Sequence, residues 1–163
     1  MDLPIYGPEP IVPVSLMMVK NAVREWGDRQ HSLEWRSRND CKETKSLIEL
    51  PSRKVGLFLT SLPRHDLKQF VQIITGHSVL KSHLRRMGVE PTSICPNCGT
   101  DEESSLHFLG SCDAYLEVRC DVLEGQCLSA EDIRNATPAR LLCFIKSSGR
   151  LRTVNSREES GGP

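Results

Sequence analysis

Residues 95–112 read CPNCGTDEESSLHFLGSC, and the rest of the chain organises around them. Three cysteines and one histidine fall at Cys95, Cys98, His107 and Cys112, a C-x2-C-x8-H-x4-C spacing. Three thiolates and one imidazole make a closed tetrahedral donor set, the arrangement of a structural Zn2+ site with one ion per chain. The two-residue gap lets both sulfurs of a tight knuckle face one ion. Gly99, directly after it, suits the positive φ such a turn needs. The insert Thr100 to Ser104 is polar, as expected of a surface loop. His107 and Cys112 are five residues apart, about 140° around an ideal α-helix, so they do not share a helical face. Gly110 between them is expected to end the helix and bring Cys112 back. Leu106 and Phe108 flank His107 and are expected to seat the loop on neighbouring helices.

Other chemistry for the same residues is disfavoured by their surroundings. Free thiols beside a surface histidine are the plain alternative. A redox-active CPNC needs a βαβ setting with a helix starting at the first cysteine, whereas Gly99 and an acidic loop follow here. Zinc nucleobase deaminases pair P-C-x-x-C with an upstream H-x-E. The upstream histidines here read His65-Asp-Leu, His77-Ser-Val and His83-Leu-Arg. The chain has seven cysteines, an odd number that fits a disulfide framework poorly. Cys143, inside Leu-Leu-Cys-Phe-Ile, reads as core, and Cys41 and Cys127 read as exposed. Cys120 reads as core or partly buried, and is the one credible substitute ligand if Cys112 points away.

Outward from the cluster the pattern is helical, giving a mainly α fold. Residues 1–13 contain Pro4, Pro8, Pro10 and Pro13 and read as an extended lead-in. Ser15 suits an N-cap, and Leu16, Val19, Val23 and Trp26 recur at spacings of three and four, predicting a helix to about Trp35. Trp26 and Trp35 are expected in a core. Residues 36–54 read as a polar connector, and 55–60 as a short strand or a helix lead-in. After Pro63 a helix is expected to bury Leu67, Phe70, Val71 and Ile74 and to end at Gly76. Ser78 is expected to cap the next helix, with Leu80, Leu84 and Met87 inward and Gly88 as its stop. Further helices are expected over Ala114–Leu123, ending near Gly125, and after the capping box Ser129-Ala-Glu-Asp132. A last helix is expected from Pro138, with Leu141, Leu142, Phe144 and Ile145 apolar. The tail, 153–163, reads as disordered. The organisation expected is therefore a lead-in at 1–13, a helix and connector over 14–62, a helical zinc module over 63–152, and the tail.

Composition narrows the function classes. Lys+Arg and Asp+Glu are equal at 21 each, which excludes a strongly basic nucleic-acid protein by total charge. Aromatic residues are 5%, so stacking platforms for single strands are few. No run of about 18 apolar residues exists, and no membrane partner is expected. The start has no basic region of a signal peptide, and the reading is an intracellular protein of the nucleus or cytoplasm. Charge is nevertheless uneven: residues 1–90 carry 14 Lys/Arg against 10 Asp/Glu, and residues 91–163 carry 7 against 11. Arg64, Lys68, Lys81, Arg85 and Arg86 crowd two adjacent expected helices, with only Asp66 opposing. They are the candidate phosphate contacts to RNA or DNA.

Several of these segments together resemble one family. Gly7-Pro-Glu-Pro10, Trp26, His31 to Trp35, and Cys41-Lys with Lys45 resemble the segment after the RNase H domain of insect Jockey-like non-LTR retrotransposon polyproteins. Ile74-Thr-Gly-His77 and His83-Leu-Arg-Arg-Met-Gly88 are similar to the stretch those proteins carry next. Cys95, Cys98, His107-Phe-Leu and Cys112, then Tyr115 and Arg119, resemble their C-terminal CCHC motif, and Leu141 to Arg150 their closing helix. The likeness spans roughly residues 7–152. It implies a C-terminal segment whose polymerase and RNase H carboxylates lie on upstream domains, so that no catalytic residue transfers to this chain. It also implies a zinc module that helps engage template RNA or target DNA.

The expectation from sequence is a non-catalytic, zinc-stabilised module binding nucleic acid weakly and with sequence tolerance, its N-terminal part having packed on upstream polyprotein domains. The alternatives are a zinc-stabilised protein-interaction module and a degenerate fragment without function.

Overall fold

The structure, a computed structural model, describes residues 14–151. The expected lead-in at 1–13 and tail at 153–163 lie outside the described residues. The chain divides into two compact units, Met1–Arg38 and Asn39–Pro163. The second unit thus reaches back to Asn39, earlier than the expected start at 63.

In the first unit, α1 runs Leu16–Ser37. Ser15 caps it as expected: its Oγ accepts from the Met18 N–H at 3.2 Å, satisfying one of the four unpaired donors of a helix start. No residue of α1 is buried. Trp26, expected in a core, is 62% exposed, and Trp35 is half-buried. Among the described residues of this unit there is no second element against which α1 could close its apolar stripe.

The second unit begins with α2, Lys42–Leu47, where a polar connector was expected. Its Leu47 is 3% exposed and belongs to the main core. One well-placed leucine is too short a signal for periodicity to register. α3, Arg53–Ser61, makes the ambiguous 55–60 run helical, and its Phe58 meets Phe70 edge-on at 6.1 Å. α4, Arg64–Thr75, follows Pro63 and stops at Gly76, whose φ of +70° is the left-handed cap expected there. A Cβ on Gly76 would also collide with the Glu43 carboxylate. The face α4 buries is Gln69, Phe70, Ile73 and Ile74. Val71, expected inside, is exposed, because the buried stripe follows 70, 73 and 74.

α5, Lys81–Arg86, is short. Ser78 Oγ accepts from the Leu80 N–H, ahead of the helix, and so does not cap it. Leu80 is buried, but Met87, expected inward, is 64% exposed. The helix has ended by then, and the chain turns away at Gly88. After the Cys/His loop come α6 (Leu116–Leu123), α7 (Ala130–Asn135) and α8 (Pro138–Ser147). α6 ends with Glu124 in the left-handed region, one residue before the expected glycine. The Ser129–Asp132 capping box is present in both directions. α8 is central, packing on α4 and α6, while α2 bridges α4 and α7. Leu141, Leu142, Phe144 and Ile145 are all buried, as expected. Cys143, expected as core, is exposed, since it points off the face that its neighbours bury.

Among the described residues there is no strand, only one antiparallel bridge between Ile94 and Glu102. No described helix is long and apolar enough to cross a membrane.

Candidate metal centre

The bridge opens the site. The Cys95 N–H donates to the Asp101 carbonyl at 2.8 Å, and the Gly99 N–H to the Cys95 carbonyl at 2.9 Å. These bonds close the knuckle that turns the Cys95 and Cys98 sulfurs the same way, with Gly99 at φ +73° as its spacing predicts. His107 and Cys112 arrive by a different device. The segment His107–Ser111 is a single wide turn of π-helix, closed by the Cys112 N–H donating to the His107 carbonyl at 2.9 Å. An i→i+5 turn stacks residues five apart, whereas an α-helix would set them far round its axis. Gly110 therefore does not end an α-helix. It sits inside the wide turn, where its carbonyl accepts from the Leu128 N–H at 2.8 Å and a Cβ would strike the Leu128 carbonyl oxygen.

The result is one donor atom each from Cys95, Cys98, His107 and Cys112, all within 4.8 Å of one another. Cys95 and Cys112 Sγ are 3.8 Å apart, and Cys98 Sγ lies 3.4 Å from His107 Nε2. No pair of cysteines is bonded. Cys95, His107 and Cys112 are buried and Cys98 is half-buried. These four residues can hold one metal ion. Cys112 points in, so Cys120, half-buried on α6, is not needed as a substitute.

The surroundings set the protonation of the donors. The Thr100 hydroxyl, which donates to Cys98 Sγ at 3.2 Å, and the backbone N–H groups of the knuckle bring the Cys98 thiol down to about 6. Burial pushes Cys112 up to about 12. His107 Nδ1 faces Ser111 Oγ at 3.3 Å and the Asp101 carboxylate at 3.9 Å. A proton held on Nδ1 by these oxygens leaves the Nε2 lone pair toward the thiols, the usual tautomer control in a metal-ligating histidine.

Behind the donors stands a buried polar frame that the sequence reading missed. Glu103 lies in the acidic insert expected at the surface, yet is 1% exposed. Its carboxylate accepts from the Lys81 N–H at 2.7 Å and from Arg150 Nε and Nη2 at 2.7 and 3.0 Å. It thus ties the loop to the start of α5 and to the end of α8. Arg119, also 1% exposed, donates to the carbonyls of Cys112 (2.9 Å) and Gln126 (2.8 Å). Nothing in an acidic run marks one glutamate as buried. Its partner Arg150 is 47 residues away. Phe108 and Phe144 each meet Tyr115 edge-on and meet each other at a tilt beside the frame, with centroids 5.2 to 6.3 Å apart. Phe108 seats the loop as expected, but Leu106 is 37% exposed.

The candidate phosphate contacts fall into two groups. Arg64, Lys68 and Arg85 are exposed, Arg85 also donating to the Pro91 carbonyl at 2.7 Å. Lys81 pairs with Glu90 and Arg86 with Glu43, each at 2.7 Å. Asp66, the one opposing group expected, pairs with Lys146 at 2.9 Å. Two further acidic groups therefore meet the stretch, Glu43 brought in by α2 and Glu90 by the turn after α5.

These features define a small helical module built around a Cys3His cluster. No family model, curated protein or solved structure matches the chain.

Proposed function

We propose that the second unit is a non-catalytic module pinned by one structural Zn2+ on Cys95, Cys98, His107 and Cys112, and that it contacts nucleic-acid backbone weakly and without sequence preference. The donor spacing carries the metal part. An ion bound at about 2.3 Å to sulfur and about 2.0 Å to nitrogen sets tetrahedral donors about 3.8 Å (S–S) and about 3.5 Å (S–N) apart. Two of the six separations here are 3.8 Å (Cys95–Cys112) and 3.4 Å (Cys98–His107), and all six lie within 4.8 Å. Thiolate-rich sets favour zinc over the hard cations, and four protein donors leave no open position for a reacting water. Metal analysis of purified protein tests this: one zinc per chain is expected, lost in Cys98→Ala. A metal-free wild-type protein refutes it.

The nucleic-acid part rests on the exposed cations Arg64 and Lys68 on α4 and Arg85 on α5, and on the resemblance to the CCHC segment of Jockey-like polyproteins. Lys81 and Arg86 contribute less, because each is already paired with a glutamate. Among the described residues the Cys3His set is the one cluster of metal-ligand type. Metal-dependent phosphoryl chemistry requires converging carboxylates instead. Contacts of this kind weaken steeply with salt. Titration of single-stranded RNA and duplex DNA at several salt concentrations is expected to show that slope, reduced by roughly one unit per charge in Arg64→Ala and Lys68→Ala.

A second reading, a protein-interaction module, is favoured by an open apolar groove lined by Phe58, Ala139, Leu142 and Cys143. Absence of salt-dependent binding by zinc-loaded protein selects this reading.

A further inference from the structure

The first unit offers a surface that neither the metal nor the basic residues explain. The spacing of three and four in α1 continues past Trp26 as a strict heptad. Leu16, Val23 and Gln30 occupy a positions, and Val19, Trp26 and Leu33 occupy d positions. The five apolar members are 46 to 69% exposed. Three heptads with a charged flank are the pattern of a coiled-coil strand.

We propose that α1 pairs with α1 of a second copy of this chain as a parallel, two-stranded coiled coil. Three observations select this occupant. The first is charge: Arg29 falls at g and Glu34 at the following e, so in a parallel pair each Arg29 faces the other copy's Glu34, and the contact occurs twice by symmetry. Within the helix the Glu34 carboxylate lies a long 4.0 Å from Arg38, with both side chains exposed. Such a contact is worth little and leaves the carboxylate available.

The second is the polar core position. In a parallel, in-register pair Gln30 meets Gln30, and each amide can both donate and accept. In the antiparallel register that matches a with d, Gln30 would face Val19 and bury an unpaired amide, which costs about 1–3 kcal/mol. A single polar a residue of this kind fixes register and strand number.

The third is Gly27. A glycine inside a helix is roughly 1 kcal/mol worse than alanine. Among the described residues nothing lies within 4 Å of where its Cβ would stand, so no close approach there requires it. Gly27 at e and Ala22 at g flank the Trp26 layer. In a coiled coil these two small residues make room for the paired indoles.

The test is sedimentation equilibrium of the full chain over a wide concentration range, with far-UV circular dichroism on each variant. Wild type is expected to show a monomer–dimer equilibrium. Arg29→Glu and Glu34→Arg each place like charges across the pair twice and are expected to weaken it about tenfold. Mixing the two variants restores opposite charges at both contacts, so a heterodimer of near wild-type strength is expected. Gln30→Leu is expected to strengthen association. A chain that stays monomeric throughout, or charge variants that associate like wild type and show no preference for the mixed pair, overturns the proposal. Recovery on mixing cannot arise from misfolded single variants. The metal content of every variant is expected to equal that of wild type, which separates failure of this proposal from failure of the zinc reading.

Discussion

α4 and α1 both place apolar residues at spacings of three and four, yet α4 buries Phe70, Ile73 and Ile74 while α1 buries none. The helices do not differ in kind: both are capped at one end and amphipathic. They differ in what their unit supplies. α4 has α8 and α2 to close on. The loop from Ser93 to Cys112 is held by four donors, a buried glutamate and a buried arginine. An amphipathic face specifies that something must cover it, and the covering element comes from elsewhere in the chain or from another chain.

The largest expected effect bears on that contrast directly. On the zinc reading, treatment with chelator, or Cys98→Ala, is expected to abolish the cooperative thermal transition of the second unit. Structural zinc contributes on the order of 10 kcal/mol, which is also folding energy. Calorimetry and near-UV circular dichroism, with and without chelator, check this. An unchanged transition would make the two units alike in owing nothing to the ion.

A smaller effect sharpens the contrast in packing. Phe144 is fully buried among Phe108 and Tyr115, and Phe144→Ala is expected to cost about 3–5 kcal/mol. Trp26→Ala on α1 removes a larger side chain but is expected to change monomer stability by no more than about 0.5 kcal/mol. Denaturant titration of dilute protein distinguishes them. Equal losses would mean that α1 is covered within its own chain.

Next comes the polar frame. Glu103→Gln leaves Arg150 partly buried without its counter-charge and weakens the cap on α5. About 2 kcal/mol of destabilisation is expected, below the full value for a buried pair because Arg150 keeps some water contact. Gly110→Ala drives a methyl into the Leu128 carbonyl and is expected to cost about 1–3 kcal/mol while lowering metal affinity. Zinc competition with a chromophoric chelator measures the second effect. A neutral Gly110→Ala would mean that the wide turn is not required.

The smallest effect concerns pH. Lys146 holds the Asp66 carboxyl below its ordinary value, and Ser129 does the same for Asp132. A carboxyl whose folded pKa is depressed stabilises the fold above its unfolded value and loses that contribution as pH falls through the folded one. Asp66→Asn and Asp132→Asn are therefore expected to melt slightly below wild type near pH 7 and to converge with it below about pH 4. Any acid effect at the Cys3His cluster is common to all three proteins and cancels in the difference. Curves that coincide with wild type at every pH would show that neither carboxylate matters to the fold.

The Cys3His cluster and the helices of the second unit were legible because their signals are local. The CxxC knuckle and its glycine, the capping box at Ser129 and the four apolar residues of α8 each need only a few neighbouring residues to be recognised. α2 was not legible, because a single leucine on a polar six-residue helix carries no period. The burial of Glu103, the exposure of Cys143 and the pairing of Lys81 and Arg86 with glutamates were also hidden. Each depends on which distant group arrives opposite.

By itself, then, the sequence determined the donor set, the helical character of the chain, the start of α1 and the apolar face of α8. Spacing and capping are properties of adjacent residues and survive any arrangement of the elements. Only the tertiary structure decided that Cys112 comes into register with His107 through a wide turn rather than a helix break. It also decided that an acidic loop would bury one carboxylate against Arg150, and that the stripe on α1 would be left open. These outcomes turn on hydrogen bonds and contacts between residues far apart in the chain, whose free energies are settled by the partner that arrives rather than by the residue that waits.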